Sequence, residues 1–182
     1  MRILILSAFI ELFLLSWMAY EFYGRVQTSR ALTRRATAYS APSNDDRIAI
    51  LVLGDSTGVG VGVTRPEDSV AGRLALSRGA TSVENYAVSG AEVADVPSQV
   101  TQTRHKKYSI ILLQIGGNDI IRFHSAKRIG QELSQILRSL PKAEKVVLMS
   151  SGNVGAATLF PFFVRPIHTA LNPEYHRVFE RV

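Results

Sequence analysis

Apolar positions in the second part of the chain follow two alternating patterns, short continuous runs and longer stretches with helical spacing. The continuous runs predict strands buried on both faces, at residues 48–53, 83–88, 109–115 and 145–149. The helical spacing predicts helices at residues 66–78, 91–105 and 125–140, and a last helix with Asn172 as N-cap and Pro173 in its first turn. Strands that alternate with helices indicate a parallel sheet covered on both faces.

The beginning of the chain is apolar throughout, with Glu11 as the one charge between residues 3 and 20. Eighteen helical residues extend about 27 Å, close to the roughly 30 Å hydrocarbon core of a bilayer. The pattern predicts a transmembrane or signal-anchor helix over residues 1–23. A cleaved signal peptide is one alternative, although the small residues at 36–38 lie far beyond the apolar run. An amphipathic or core helix, favoured by Glu11, is another.

Residues 24–46 are polar and rich in Arg, Ser, Thr and Ala, a composition that buries too little apolar area to order itself. We therefore predict a flexible linker there and a globular domain over residues 47–182. Four arginines follow the apolar run, where basic side chains commonly contact lipid headgroups: Arg25, Arg30, Arg34 and Arg35. The protein is thus expected to be anchored to a membrane, on a side that the charges leave open.

The overall charge and composition exclude several kinds of site. The net charge is +6, but the second basic cluster, residues 104–107, is typical of a solvated helix end and has no aromatic RNA-binding signature beside it. Nucleic acid is therefore not an expected partner. The chain has no cysteine, which excludes disulfides, thiolate metal sites and a catalytic thiol. No metal-ligand spacing connects the four histidines, which are His105, His124, His168 and His176.

Three glycine-rich polar segments follow the first three predicted strands, at residues 54–58, 89–90 and 116–119. Right-handed crossovers bring the carboxyl ends of parallel strands to one edge of the sheet, where ligands bind in such folds. Ser56 offers a hydroxyl at this edge, Gly90 an unobstructed N–H and Asn118 a side-chain amide. A nucleophilic hydroxyl surrounded by hydrogen-bond donors is what acyl transfer requires.

These segments resemble the first three blocks of the SGNH/GDSL hydrolases: VLGDSTGVG, VSG and QIGGNDI occur in the family's order. Their key residues are 34 and then 28 positions apart. The resemblance implies a flavodoxin-like three-layer α/β/α sandwich with Ser56 as nucleophile. It also implies an oxyanion hole formed by the N–H groups of Ser56 and Gly90 and the amide of Asn118, with Asp55 supporting the turn. Asn153 would line the substrate pocket, and no metal or organic cofactor is implied.

The family's last block, Asp-x-x-His, supplies the catalytic base and its orienting acid. This sequence has no Asp after Asp119, and neither His168 nor His176 has one three positions earlier. We therefore expect a C-terminally truncated domain with negligible turnover, because a serine without a base is a weak nucleophile. A naturally degenerate copy is the alternative interpretation.

The sequence thus predicts a serine hydrolase whose substrate is a small-molecule or lipid acyl ester, a thioester or an O-acetyl group. Two alternatives keep the same fold: a catalytically inactive, membrane-tethered binding module, and an acyltransferase using the same site. Residues 54–58 also match G-x-S-x-G, the α/β-hydrolase elbow, but here the motif follows the first strand of its domain. A nucleotide-binding turn is a weaker alternative, since G-x-G-x-x-G and the P-loop motif are absent.

Overall fold

A four-stranded parallel sheet forms the centre of the protein, in a computed structural model that describes residues 2–150, 152 and 165–181. The strands lie in the order β2-β1-β3-β4, and every neighbouring pair is parallel. Their bounds are β1 Ala49–Gly54, β2 Ser82–Asn85, β3 Lys107–Ile115 and β4 Lys142–Ser150. The parallel sheet predicted from the alternating apolar runs is therefore confirmed.

Seven helices connect or flank the strands in the part of the chain that the structure describes. They are α1 Arg2–Arg35, α2 Ser56–Val59, α3 Val70–Arg78, α4 Val96–Val100, α5 Gly117–Ile121, α6 Ala126–Ser139 and α7 Arg165–Arg181. Local sequence explains two of the starts, because Ser69 and Ser125 cap α3 and α6 by accepting hydrogen bonds from backbone N–H groups. Gly79 ends α3 in the left-handed conformation that a glycine adopts without strain.

Alternate residues of β1 enter separate hydrophobic cores on the two faces of the sheet. Ile50 and Val52 pack with Ala71 and Ala75 of α3. On the opposite face, Leu51 and Leu53 pack with side chains of α4, α6 and α7, among them Val96, Ile129, Leu133 and Tyr175. This three-layer arrangement explains the continuous apolar pattern of the strands, and it leaves the carboxyl edge of the sheet open for polar groups.

The last helix differs from its prediction. It was expected to begin at Asn172 with Pro173 in the first turn, but α7 begins at Arg165 and contains Pro173 in its interior. Proline removes one helical hydrogen bond, and packing against the core offsets that loss. Tyr175 is buried and its hydroxyl donates to the His124 carbonyl at 2.7 Å, while Phe179 packs against the same core.

The first helix continues well past the apolar run. Residues 24–35, predicted as part of a flexible linker, extend α1 to Arg35, in keeping with the good helix-forming propensity of their arginine, alanine and leucine residues. No helix in the described part of the chain is both long enough and apolar enough to cross a membrane. The transmembrane or signal-anchor helix predicted over residues 1–23 is therefore not supported as a membrane span, although residues 2–23 belong to α1.

The remainder of the predicted linker, residues 36–46, is attached to the edge strand β2. Ala41 forms an antiparallel bridge with Val83, through hydrogen bonds of 2.9 and 3.0 Å. Two residues further on, the Ser43 N–H donates to Ser82 Oγ at 3.1 Å, and Ser82 Oγ donates to the Ser43 carbonyl at 3.2 Å. The chain is thus fixed to the domain before β1 begins.

Candidate active site

The chain leaves β1 through a turn that only glycine permits. Gly54 has φ +131°, and a Cβ at this position would overlap the Gln114 carbonyl of the neighbouring strand. The next residue, Asp55, donates its N–H to that same carbonyl at 2.9 Å. The turn is therefore held against β3, and Ser56 follows as the first residue of α2.

Asp55 caps the short helix that begins at Ser56. Its Oδ1 accepts from the Thr57 N–H at 2.9 Å and from the Thr57 hydroxyl at 2.8 Å. Burial raises the pKa of the Asp55 carboxyl, whereas hydrogen bonds from Thr57 and from the Gly117 N–H oppose that rise. These contacts hold the turn between β1 and α2.

Ser56 is half-buried at the start of α2. As the first helical residue, it has no carbonyl one turn earlier in the helix to receive its N–H. The N–H and the hydroxyl of one residue thus lie together at the carboxyl edge of the sheet. This is the local arrangement that a nucleophile with its own oxyanion donor requires.

Asn118 lies beside the segment that carries Gly90. The Asn118 side-chain amide donates one hydrogen to the Ala91 carbonyl at 2.8 Å, and an NH₂ group has a second hydrogen to donate. Gly90 is exposed with φ +89°, and no atom lies within 4 Å of the position that a Cβ would occupy. A substrate oxygen can therefore approach the Gly90 backbone without steric hindrance.

Three hydrogen bonds join the segments that carry Ser56, Gly90 and Asn118, one between each pair of segments. The Val88 N–H donates to the Gly54 carbonyl at 2.9 Å, the Gly117 N–H bonds to the Asp55 carboxyl, and Asn118 bonds to Ala91. Each predicted site residue lies within two positions of one of these contacts. The structure therefore brings the segments of Ser56, Gly90 and Asn118 together, as the order of the strands predicted.

Sequence reasoning missed two side-chain amides, one buried and one half-buried, that position the turn around Ser56. Gln99 of α4 accepts from the Gly54 N–H at 2.8 Å and donates to the Gly54 carbonyl at 2.9 Å. Asn85 at the end of β2 donates to the Gly58 carbonyl at 2.9 Å. Gln99 is a polar residue of the short helix α4, and no local signal in the sequence shows that its side chain is bonded to the backbone of β1.

A carboxylate and histidine network holds the Asn118 turn from its other side. Asp119 is fully buried and accepts from the Val93 N–H at 3.1 Å, while His124 Nδ1 lies 3.4 Å from its other oxygen. Glu92 approaches the same imidazole at 3.6 Å and forms an ion pair with Arg122. One ligand atom each from Glu92, Asp119 and His124 lie within 4.8 Å of one another, although the sequence showed no metal-ligand spacing. In the described residues, this network ties α5 to residues 92–93.

Burial raises the pKa of the Asp119 carboxyl, and the Val93 N–H together with His124 opposes that rise. Burial outweighs these donors, so the pKa of the Asp119 carboxyl lies above its ordinary value. This titrating group is next to Asn118 in the chain.

An open groove of about 360 Å³ lies beside Thr57, between α2, the start of α3 and the ends of β3 and β4. Gly152 lines it, whereas Asn153, the predicted pocket residue, lies outside the described residues. His176 Nδ1 is 3.5 Å from Ser150 Oγ, which also lines the groove. No carboxylate contact to His176 is present among the described residues, in keeping with the missing Asp-x-x-His pattern.

Solved structures with the same fold support the architecture. An extracellular lipase from Streptomyces rimosus aligns with a TM-score of 0.55 and 21% identity, covering 74% of this chain and 75% of the lipase. A phospholipase A1 from Streptomyces albidoflavus aligns with a TM-score of 0.53 and 19% identity, and the alignment covers 73% of this chain and 74% of the phospholipase. A catalytic mutant of an acetylxylan esterase from Geobacillus stearothermophilus aligns with a TM-score of 0.53 and 18% identity, and the alignment covers 79% of this chain and 73% of the esterase. The sheet and helices of this chain therefore form the SGNH hydrolase fold.

A comparison with curated proteins finds no match. The model of the GDSL-like lipase/acylhydrolase family matches residues 52–182, a range that includes Ser56, Gly90 and Asn118 and covers most of the chain. The chain therefore belongs to the GDSL-like lipase/acylhydrolase family.

Proposed function

We propose that this protein is a serine hydrolase of ester bonds, with Ser56 as nucleophile. The hydroxyl of Ser56 attacks the ester carbonyl, and the resulting oxyanion accepts hydrogen bonds from the Ser56 N–H, the Gly90 N–H and the Asn118 amide. Collapse of the tetrahedral intermediate releases the alcohol and leaves an acyl-serine. Water then releases the acid and regenerates the serine.

One observation carries this proposal, the set of contacts that brings three distant segments to one edge of the sheet. The Asn118 amide is held by Ala91, the neighbour of Gly90, at 2.8 Å. The Asp55 carboxyl, next to Ser56, is held by Gly117, the neighbour of Asn118. Preorganised donors of this kind supply the largest single part of catalysis in acyl transfer, since they need no rearrangement when charge develops.

The proton of Ser56 needs an acceptor, and the described residues offer no histidine–aspartate pair beside it. We therefore expect this 182-residue chain to have an intact oxyanion hole and a slow nucleophile. An external base should then restore part of the reactivity. Imidazole is the natural choice because it matches the missing side chain.

A fluorophosphonate probe tests the proposal directly. We expect the probe to label the chain slowly, and the labelling rate to rise with imidazole concentration. Ser56→Ala should abolish the labelling, because the bond forms at the Ser56 oxygen. Asn118→Ala should slow it by roughly 100-fold, the typical loss for one oxyanion donor. The rates would be measured by intact-protein mass spectrometry.

Ser150→Ala is the matched control, since Ser150 lines the neighbouring groove without a proposed catalytic role. Its labelling rate should equal that of the wild type. Labelling that persists in Ser56→Ala would refute the assignment of the nucleophile. Ester hydrolysis at an ordinary rate without imidazole, dependent on Ser56, would instead show that the chain contains a base.

A further inference from the structure

The groove beside Thr57 has apolar walls and one unusual polar group. Its apolar side chains are Val61, Val63, Val70 and Met149. Gln114, near the carboxyl end of β3, also lines the groove, although only 3% of its surface is exposed. We call this feature the Gln114 groove.

The side-chain oxygen of Gln114 has no hydrogen-bond partner. Oε1 is buried and unpaired within the described part of the chain. A buried acceptor without a donor is unfavourable, and such groups are rare in folded proteins unless a ligand or an ordered water supplies the donor. The Gln114 carboxamide lines the groove, and a half-turn of this group would present Oε1 to a donor that enters there.

The other polar side chains of the Gln114 groove already have partners. Thr57 donates to Asp55, Asp68 is paired with Arg65, and the Ser69 hydroxyl bonds to the Pro66 carbonyl and the Gly72 N–H. Ser150 contacts His176 at 3.5 Å. Among the described residues that line the groove, Gln114 thus provides the unused acceptor.

Gln114 is also close to the nucleophile along the backbone. Its carbonyl accepts from the Asp55 N–H at 2.9 Å, and it is in register with Gly54 across the β1–β3 pair. A ligand that reaches the Gln114 side chain from the groove therefore lies next to the turn that carries Ser56. The groove is placed to hold the part of a substrate adjacent to its ester.

We propose that the Gln114 groove selects esters that carry a hydroxyl close to the ester bond. The hydroxyl donates to Gln114 Oε1, while Val61, Val63 and Met149 contact the carbon skeleton. The substrate class is then hydroxylated esters, such as partial esters of polyols, rather than simple alkyl esters. This inference rests on the proposed function, since it treats Ser56 as the reacting group.

Binding to the full chain carrying Ser56→Ala tests the inference without requiring turnover. Ligand-observed NMR titrations would compare glycerol monobutyrate, which has hydroxyls on the alcohol side of the ester, with propyl butyrate, which has none. A second pair would compare methyl 3-hydroxybutyrate, which has a hydroxyl on the acyl side of the ester, with methyl butyrate, which has none. We expect the hydroxylated member of at least one pair to bind roughly 10-fold more tightly, the worth of one paired buried acceptor.

Gln114→Met in the same background removes the acceptor and keeps the side-chain volume. The preference should then fall to within about twofold, and the melting temperature should stay level or rise, since an unpaired buried polar atom has been removed. Gln99→Met is the matched control because its carboxamide is fully bonded to Gly54. It should lower the melting temperature, whereas Gln102→Met, at an exposed position outside the groove, should leave the hydroxyl preference intact.

Three results would overturn the inference: no hydroxyl preference in either pair, a preference that survives Gln114→Met, or a loss of melting temperature in Gln114→Met as large as in Gln99→Met. The proposed function is judged separately, by fluorophosphonate labelling of Ser56. If Ser56 is labelled but no hydroxylated ester is preferred, only the inference about the Gln114 groove is refuted. If a hydroxylated ester is preferred but Ser56 is not labelled, only the assignment of Ser56 as nucleophile is refuted.

Discussion

Two buried carboxyl groups stand beside the proposed oxyanion hole, Asp55 next to Ser56 and Asp119 next to Asn118. Burial raises the pKa of both, and backbone N–H donors oppose the rise. Asp55 is held by Thr57 and Gly117, and Asp119 by Val93. The same carboxyl groups therefore fix the geometry of the site and make its stability depend on pH.

Asp119 should make the protein less stable as the pH rises from about 4. Its pKa in the folded state lies above the ordinary 3.8, so the folded protein binds more protons than the unfolded chain between these two values. The stabilisation that comes from the raised pKa of Asp119 is fully present below pH 3.8 and is lost as the pH rises through the pKa of the folded state. Asp119→Asn keeps an oxygen for the Val93 N–H and removes the titration.

Urea unfolding of the wild type and of Asp119→Asn at several pH values between about 4 and about 6 measures this effect. The difference in unfolding free energy, variant minus wild type, should increase as the pH rises. Gln102→Asn, an exchange of two side chains that do not ionise, at an exposed position, serves as the control and should give a constant difference. A difference that decreases with pH would show that the donors outweigh burial at Asp119.

The residues in contiguous motifs were accessible from sequence, and those positioned by distant contacts were not. Ser56, Gly90 and Asn118 follow strand ends, so their convergence could be predicted from topology. Gln99 acts through a partner that the fold selects, the Gly54 backbone 45 positions away. The sequence did not show that the side-chain oxygen of Gln114 is buried without a partner. A glutamine in a sequence carries no sign of whether its amide is bonded or free.

At the scale of elements, α2 has only four residues. A helix of that length has no stability of its own, because the first turn must be nucleated before any gain from further hydrogen bonds. Its position depends on the cap from Asp55 and on Gly58, which packs against Ala87. Ser56 is thus held in place by contacts of α2 with its surroundings rather than by helix propensity.

Asp55→Ala should therefore lower the unfolding free energy by about 1–2 kcal/mol, since it removes the cap and leaves the Thr57 N–H without its acceptor. Asp55→Asn should lose much less, because asparagine caps helices equally well. Urea unfolding measures both. Imidazole-assisted labelling of Ser56 should slow only in the alanine variant. Equal losses in the two variants would indicate that the charge of Asp55, and not its cap, stabilises the turn.

Elements were predicted well where both the pattern and the end signals were local. Ser125 and the apolar spacing after it located α6, and the runs at β1 and β3 located the central strands. The predicted start of α7 was wrong, because Asn172 and Pro173, which read as a helix start in the sequence, lie in the interior of a helix that begins at Arg165. The end of α1 was missed because a polar composition does not exclude a helix.

Across the whole molecule, the sheet ends at β4 in the described part of the chain. Val146 and Met149 of this strand are 42% and 37% exposed. Edge strands with exposed apolar side chains favour association between copies, and a lysine on such a strand opposes it. We therefore expect copies of this protein to associate through β4.

Val146→Lys should reduce light scattering during incubation at moderately raised temperature, with the unfolding midpoint unchanged. Val147→Lys is the paired comparison, since Val147 packs against the core formed with α3. Burying that charge should lower the midpoint and should not relieve association. Scattering that is the same in Val146→Lys and wild type would exclude β4 as the associating surface.

The bridge between Ala41 and Val83 limits how far the first helix can move from the sheet. Only residues 36–40 separate the end of α1 from that bridge, and five extended residues reach at most about 18 Å. Helix α1 can thus change its orientation while its carboxyl end stays at short range from β2. A change in the orientation of α1 would therefore leave its carboxyl end within a short distance of the sheet. A pair of spin labels on the exposed residues Arg35 and Arg78 should report a narrow range of separations.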